Sequence, residues 1–185
     1  MNTFKNTILA SACSLLALPA SIAMAEGVTI YGKANVSVQS SDDGAGSYSE
    51  VKSNASRIGF KGNYEIDSDL TVIYRAEFQV DLDGDSEKGN SITDRNQYIG
   101  LKGNFGEVLL GKNDTMLKQS QGKLDLFSDL NADIKSLFKG ENRMSDTITY
   151  KSPKFNGFQF GATYITEDAI DAEDASSFAV FYGDK

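Results

Sequence analysis

Residues 70–80 read LTVIYRAEFQV, and apolar and polar side chains alternate along the whole segment. A period of two predicts a β-strand with one apolar and one polar face. The apolar face would carry Leu70, Val72, Tyr74, Ala76, Phe78 and Val80. Strands of soluble proteins usually have about 5–6 residues, whereas a tilted strand that crosses a membrane needs about 9–11. The eleven residues of this segment therefore favour a membrane-spanning strand.

Similar alternation predicts seven further strands, at 28–38, 57–64, 96–103, 107–113, 146–152, 158–166 and 177–183. The connections between them alternate between short turns and long polar loops. Short turns at one end and long loops at the other are typical of outer-membrane barrels. The predicted fold class is therefore all-β, an antiparallel transmembrane β-barrel. A soluble β-sandwich, in which the aromatic residues near the strand ends form an ordinary core, is the alternative.

The first 25 residues have the layout of a secretory signal peptide. Lys5 precedes an apolar stretch, and Ala23 and Ala25 form the small pair of an A-x-A cleavage site. A transmembrane anchor is the alternative, but Pro19 and the small-residue exit favour cleavage. The sequence predicts an exported protein that is cut after Ala25, with residues 26–185 as part of the barrel.

The composition argues against several classes of function. Residues 26–185 contain 17 basic and 26 acidic residues, and this net charge of −9 argues against nucleic-acid binding. The chain has no histidine, and its one cysteine, Cys13, lies in the predicted signal peptide. Within this chain neither a Ser-His-Asp triad nor a thiolate metal site can be assembled. We predict no enzyme, no cofactor and no metal centre, although the acidic segment 81–92 leaves weak divalent-ion binding open.

The polar faces of the predicted strands are unusually basic. Their charged residues are Lys33, Arg57, Lys61, Arg75 and Lys102, with Glu77 as the acidic exception. A soluble core would not hold so many long cations, because unpaired buried charge is costly. A water-filled pore tolerates them, and charges that line a pore set its electric field. These six residues are therefore the predicted pore wall.

The segment 114–145 connects two predicted strands and is longer than ordinary loops. Its apolar residues between 126 and 138 are spaced near a helical period, and Asp125, Asp129 and Asp133 form an acidic stripe. An isolated surface loop has little reason to carry so many apolar residues. The segment is therefore predicted to fold against the inner face of the wall.

Three stretches of this segment, GKNDTMLK (111–118), GKLDLFSD (122–129) and NADI (131–134), resemble the constriction loop of the Gram-negative general porin family. The likeness extends over almost all of the chain after residue 26. It implies a 16-stranded, homotrimeric barrel in outer-membrane lipid, through which ions and small hydrophilic solutes diffuse passively. It also implies that the third external loop folds inward and that its acids face the wall cations. The implied loop residues are Asp114, Lys118, Lys123, Asp125, Asp129 and Asp133.

The 160 residues after the signal peptide are about half of what sixteen strands need. The chain could be the N-terminal half of a porin, or a complete eight-stranded barrel with a structural or adhesive role. An eight-stranded barrel is filled by its own side chains, so a 32-residue inward loop would not fit. The first interpretation is favoured, and it predicts unpaired edges on the first and last strands. The sign of ion selectivity stays open, because the wall is basic and the loop is acidic.

Overall fold

The computed structural model describes residues 27–42, 46–84, 91–122, 124–130, 133–167 and 173–183. The predicted signal peptide and residues 85–90 of the acidic segment lie outside these ranges, as does Lys123. Among the described residues, no helix is long and apolar enough to cross a membrane.

Ten strands make up most of the described chain. They are β1 (Thr29–Lys33), β2 (Val36–Asp42), β3 (Ser47–Ser53), β4 (Arg57–Glu65), β5 (Leu70–Val80), β6 (Ile92–Gly103), β7 (Gly106–Asp114), β8 (Arg143–Lys151), β9 (Phe158–Ile165) and β10 (Ala175–Tyr182). Eight of them form one antiparallel sheet in the order β1-β4-β5-β6-β7-β8-β9-β10, and β2 pairs with β3 in a separate hairpin. The sheet is open: in the described part of the chain, β1 pairs only with β4 and β10 only with β9. The predicted unpaired edges agree with this arrangement.

The two faces of the large sheet differ in chemistry, as the alternation predicts. Large apolar side chains cover one face and remain exposed, and we call this the apolar face. Its members include Ile30, Ile58, Phe60, Ile99, Leu101, Leu110, Ile148, Phe158, Phe160, Phe178 and Val180. Soluble monomers rarely expose a contiguous apolar surface of this extent, whereas a lipid-facing barrel wall does. The β-sandwich alternative is wrong, because neither sheet of the described chain covers this face.

The predicted strand 28–38 is interrupted, and the loop predicted after it contains a strand. Ala34 and Asn35 have no strand conformation. There the Asn35 N–H donates to Ser56 Oγ at 2.9 Å, and the Asn54 N–H donates to the Asn35 carbonyl at 2.7 Å. Beyond this break, β2 pairs with β3 over seven residues. The sequence does not predict β3, because the composition of this strand is polar. A hairpin outside the main sheet is held by backbone pairing and needs little apolar alternation.

The segment between β7 and β8, residues 115–142, is called the crossing loop below. Its described residues include one short helix, α1 (Met116–Ser120), and a 3₁₀ turn at Ile134–Ser136. The near-helical spacing of its apolar residues does not produce a longer helix. Among the described residues of the loop, Met116 has the most deeply buried side chain, with 0% exposure. This side chain packs on the other face of the sheet, which we call the polar face.

Candidate functional site

The crossing loop begins by docking on β9 and β10 at one edge of the sheet. The Met116 N–H donates to Thr163 Oγ1 at 3.2 Å, and the Leu117 N–H donates to Ser177 Oγ at 2.9 Å. Gly161 leaves the space that the Met116 side chain fills, because a Cβ at Gly161 would collide with the Met116 sulfur. Small residues on the polar face therefore fix the start of the loop.

Farther along, the loop reaches the opposite edge of the sheet. Asp129 Oδ2 lies 2.5 Å from Arg57 Nη2 on β4 and 3.0 Å from Lys33 Nζ on β1. Because β1 and β10 are the two edge strands, the loop crosses the polar face from one edge to the other. The structure thus brings together three of the residues predicted from sequence, Lys33, Arg57 and Asp129.

The pKa of Asp129 reflects this position between two cations. Burial raises the pKa, but the hydrogen bond from Lys33 and the positive charge of Arg57 outweigh burial and hold the pKa below its ordinary value. Asp129 is therefore ionised at neutral pH. Its side chain is 15% exposed, so water screens the two ion pairs less than it screens an exposed pair.

Glu77 is the acceptor at the centre of the basic wall. The Tyr31 hydroxyl and Arg95 Nε each donate to its carboxylate at 2.7 Å, and Arg57 Nη1 lies 4.0 Å away. The residue is 5% exposed. A buried carboxylate of this kind is stable only when donors surround it, so Glu77 and its donors form one unit.

Lys61 and Arg75 occupy the wall on the other side of Tyr31. Lys61 Nζ lies 5.5 Å from the centre of the Tyr31 ring, and Arg75 Cζ lies 5.4 Å from it. In the described residues neither cation forms an ion pair with a carboxylate. The loop acids therefore face only part of the predicted wall. The sixth predicted wall residue, Lys102, pairs with Glu107 at 3.2 Å near a short turn.

A second polar cluster holds the base of the crossing loop. Arg143 Nη2 lies 3.1 Å from Asp114 Oδ1, and Lys118 Nζ lies 3.7 Å from the same oxygen. Asn96 donates to Asp114 Oδ2 at 3.0 Å and accepts from Arg143 Nε at 2.6 Å. Asp114 thus pairs with Lys118 and with Arg143, and not with Lys33 or Arg57.

Asp125 and Asp133 stabilise the crossing loop by accepting hydrogen bonds from its backbone. Asp125 accepts the N–H groups of Phe127 at 2.9 Å and Ile134 at 3.3 Å, and Asp133 accepts those of Asp129 at 3.0 Å and Lys135 at 2.9 Å. These bonds capture backbone donors that a longer helix would need, which explains why the near-helical spacing yields only a 3₁₀ turn.

A group of three carboxylates also lies in the loop. Ligand oxygens of Asp125, Asp133 and Glu141 lie within 4.8 Å of one another. Carboxylate oxygens are suitable ligands for a calcium ion. Both oxygens of Asp125 and of Asp133, however, already accept hydrogen bonds from backbone N–H groups. These hydrogen bonds explain why the two carboxylates lie close together in the loop.

Two arginines and one tyrosine of this site were not among the predicted site residues. Arg95 lies outside the predicted strand 96–103, and Arg143 lies outside the predicted strand 146–152. A register shift between β5 and β6 places residues 95 and 96 opposite Glu77. At such a bulge the alternation of the sequence no longer indicates which face of the sheet a side chain occupies. Tyr31 lies in the predicted strand 28–38, and its contact with Glu77 joins residues 46 positions apart.

Between the loop and the wall lies a polar cavity of about 1120 Å³. The wall contributes Arg57, Gln79 and Arg95, and the loop contributes Asp129, Asp133 and Lys135. A space of this size with charged groups on both sides can hold water and hydrated ions.

Comparison with known proteins gives the family. A sequence model of the Gram-negative porin family matches residues 10–184. Major outer membrane protein P.IB of Neisseria sicca is 34% identical over 176 residues, which cover 88% of this chain and 48% of that protein. The protein of the same name from Neisseria meningitidis serogroup A is 30% identical over 184 residues, which cover 90% of this chain and 52% of that protein. The chain thus spans about half the length of these curated relatives.

Solved structures agree with this relationship. The anion-selective porin from Comamonas acidovorans has a TM-score of 0.63 and 25% identity over 75% of this chain and 46% of that one. OmpT of Vibrio cholerae, an outer membrane protein, matches in fold as a loop L8 deletion mutant (TM-score 0.60, 21% identity, 83% of this chain and 47% of that one). Its trimer form matches with a TM-score of 0.55 and 21% identity, and the match covers 76% of this chain and 41% of that one. The predictions of fold class and family are confirmed, and the chain belongs to the Gram-negative porin family of the outer membrane.

Proposed function

We propose that the protein forms a water-filled channel in the outer membrane, through which ions and small hydrophilic solutes diffuse passively. The observation that carries this proposal is the path of the crossing loop, which runs over the polar face from β10 to β1 with charged groups on both sides. A loop in this position narrows the space in front of the wall. Residues 114–145 are accordingly the proposed constriction loop.

The passage works by electrostatics and size, with no chemical step. A solute that enters the narrow region exchanges part of its hydration for the charged groups of the wall and loop. The proposed wall residues are Lys33, Arg57, Lys61, Arg75, Glu77, Arg95 and Lys102, and the proposed loop residues are Asp114, Lys118, Lys123, Asp125, Asp129 and Asp133. We assign no enzymatic activity to the protein.

The balance of charge near the constriction favours anions. Asp129 is shared by two cations, and Glu77 is shared by Arg95 and Arg57, so the wall cations outnumber the acids that face them. Lys61 and Arg75 add two cations without a carboxylate partner among the described residues. The name of the Comamonas relative, an anion-selective porin, supports the same sign. We therefore propose a preference for anions.

The proposal extends to export and assembly. The protein reaches the outer membrane after cleavage behind Ala25, its apolar face contacts outer-membrane lipid, and its functional form is a homotrimer. The exposed side chains of the apolar face support the contact with lipid. The trimer form of the Vibrio protein supports the assembly.

Planar-bilayer recording of the purified protein tests this function. The expected result is a series of discrete conductance steps in potassium chloride, with a reversal potential in a salt gradient that indicates anion preference. Heat-unfolded protein serves as the control and is expected to give no steps. A folded protein that gives no steps would contradict the channel function, whereas cation preference would contradict only the proposed sign.

Acid is expected to disturb the loop only below the ordinary range of carboxyl pKa values. Because the pKa of Asp129 is lowered, its ion pairs contribute fully above about 3.9, the value of an unfolded aspartate, and are lost as pH falls through the lowered pKa. The conductance and reversal potential are therefore expected to stay constant from pH 8 to about pH 5 and to change in stronger acid.

The variant Asp129→Asn is the control for this pH dependence. It removes the charge that faces Lys33 and Arg57 at every pH, so its anion preference at pH 7 is expected to exceed that of the unmodified protein. The variant should lack the part of the acid response that comes from Asp129. An acid response of unchanged size would contradict the assignment.

A further inference from the structure

Lys61 and Arg75 are directly opposite each other in the pairing of β4 with β5. Like charges at directly opposed positions of an antiparallel pair are destabilising. Other cations of the polar face have carboxylate partners, namely Lys33 and Arg57 with Asp129, and Arg95 with Glu77. In the described residues Lys61 and Arg75 form no ion pair with a carboxylate, although Arg75 interacts with Glu77 at longer range, so the wall holds two adjacent positive charges without a direct acidic partner.

The Tyr31 ring holds this pair of cations in place. Both cations lie about the same distance from its centre, 5.5 Å for Lys61 Nζ and 5.4 Å for Arg75 Cζ. Contacts of this kind between a cation and an aromatic ring are attractive. The ring therefore offsets part of the repulsion and limits the positions that the two side chains can adopt.

The ring itself is fixed from two sides. Gly59 lies opposite Tyr31 in the sheet, and a Cβ at Gly59 would lie 2.5 Å from Tyr31 Cζ, so the ring packs directly on the Gly59 backbone. The Tyr31 hydroxyl donates to Glu77 at 2.7 Å, which ties the ring to the paired cluster. Tyr31 thus lies between the cations that pair with Asp129 and Glu77 and the two cations that lack carboxylate partners.

We propose that Tyr31 is a positioning residue for an anion-binding station made by Lys61 and Arg75 in the channel wall, and that the station binds small oxyanions. The planar guanidinium of Arg75 suits the geometry of a phosphate or carboxylate group, and the Lys61 ammonium adds a second positive charge. Lys61 is exposed and Arg75 is partly exposed, so an anion can reach both. This inference depends on the proposed channel function, because the station is a site in the channel wall where a permeating anion binds transiently.

The first test measures binding of inorganic phosphate to the folded protein in detergent, by line broadening of the ³¹P signal. The variants Lys61→Gln and Arg75→Gln are each expected to weaken binding. Tyr31→Ala is expected to weaken it about two- to five-fold, through loss of the ring contacts. Tyr31→Phe retains the ring and should bind within about two-fold of the unmodified protein, so it separates the ring from the hydroxyl.

Matched controls are available in the same chain. Tyr74 covers Gly62 much as Tyr31 covers Gly59, with its hydroxyl 2.5 Å from where a Gly62 Cβ would lie, but it belongs to the apolar side of β5. Tyr74→Ala therefore removes a comparable ring and is expected to leave phosphate binding unchanged. Lys154→Gln removes a positive charge near a short turn and is expected to do the same.

The second test measures the reversal potential in gradients of potassium phosphate and potassium chloride. The station predicts that Lys61→Gln, Arg75→Gln and Tyr31→Ala each lower the permeability of phosphate relative to chloride, while Tyr74→Ala does not. Phosphate binding that is the same in the unmodified protein, Lys61→Gln and Arg75→Gln would overturn the station even if the channel conducts. Absence of conductance would instead contradict the channel function and leave the binding result to decide the station.

Discussion

Replacing Glu77 by glutamine is expected to lower the free energy of unfolding by about 3 kcal/mol, the lower end of the cost of breaking a buried ion pair. The Glu77 carboxylate accepts from the Tyr31 hydroxyl and from Arg95 Nε, each at 2.7 Å. The Arg95 side chain is only 11% exposed, so loss of the negative charge leaves a cation that water solvates poorly. Urea unfolding of the membrane-folded protein measures the change.

Glu107→Gln is the matched control for this variant. Glu107 also pairs with a wall cation, Lys102 at 3.2 Å, but the Lys102 side chain is 59% exposed. Exposed ion pairs contribute about 0–1 kcal/mol, so the control is expected to lose less than that. Equal losses in the two variants would contradict the role of Glu77 as the internal acceptor of the basic wall.

Replacing Gly161 by valine is expected to detach the start of the crossing loop. The new side chain would occupy the place of the Met116 side chain, which is fully buried against Gly161. Loss of a buried methionine contact costs about 2–5 kcal/mol. Since each 1.4 kcal/mol is a factor of ten in an equilibrium, the exposed fraction of the loop should rise about tenfold or more. The rate of tryptic cleavage after Lys135, in the folded protein, measures this fraction.

A double variant separates this steric effect from general damage to the sheet. Met116→Ala removes the side chain with which the introduced valine would collide, so adding Gly161→Val to Met116→Ala should raise the cleavage rate only slightly further. Coupling of this kind is expected when two changes act on one contact. Fully additive effects would indicate that valine disturbs β9 independently of the loop.

The strands of the large sheet were predictable because a lipid-facing wall imposes strict alternation. The predicted strand 70–80 coincides with β5, and the predicted strand 57–64 lacks only the last residue of β4. The pattern weakens where strands extend beyond the apolar belt. β6 begins at Ile92 instead of residue 96, and β8 at Arg143 instead of residue 146, because polar residues interrupt the apolar alternation in both stretches.

The contacts of the site were less predictable than its residue types. The basic wall followed from alternation, and the acidic loop followed from its composition. Which acid meets which cation depends on the path of the loop, and the Met116–Gly161 contact that sets this path joins residues 45 positions apart. The resemblance to the porin family implied that the loop acids, notably Asp114, Asp125 and Asp129, face the wall cations, whereas only Asp129 of these three pairs with Lys33 and Arg57 in the structure.

The most direct test of the central claim, that the crossing loop lies in the conducting path, uses cysteine modification in the open channel. Leu126 on the loop is 85% exposed, and Ile66 at the short turn between β4 and β5 is 52% exposed, so a reagent in water can reach both single-cysteine variants, Leu126→Cys and Ile66→Cys. Cys13, in the predicted signal peptide, is the only other cysteine of the chain. The measurement is single-channel conductance before and after a charged methanethiosulfonate reagent is added. We predict that the reagent changes the conductance of Leu126→Cys and leaves that of Ile66→Cys unchanged. Unchanged conductance of fully modified Leu126→Cys would contradict the account.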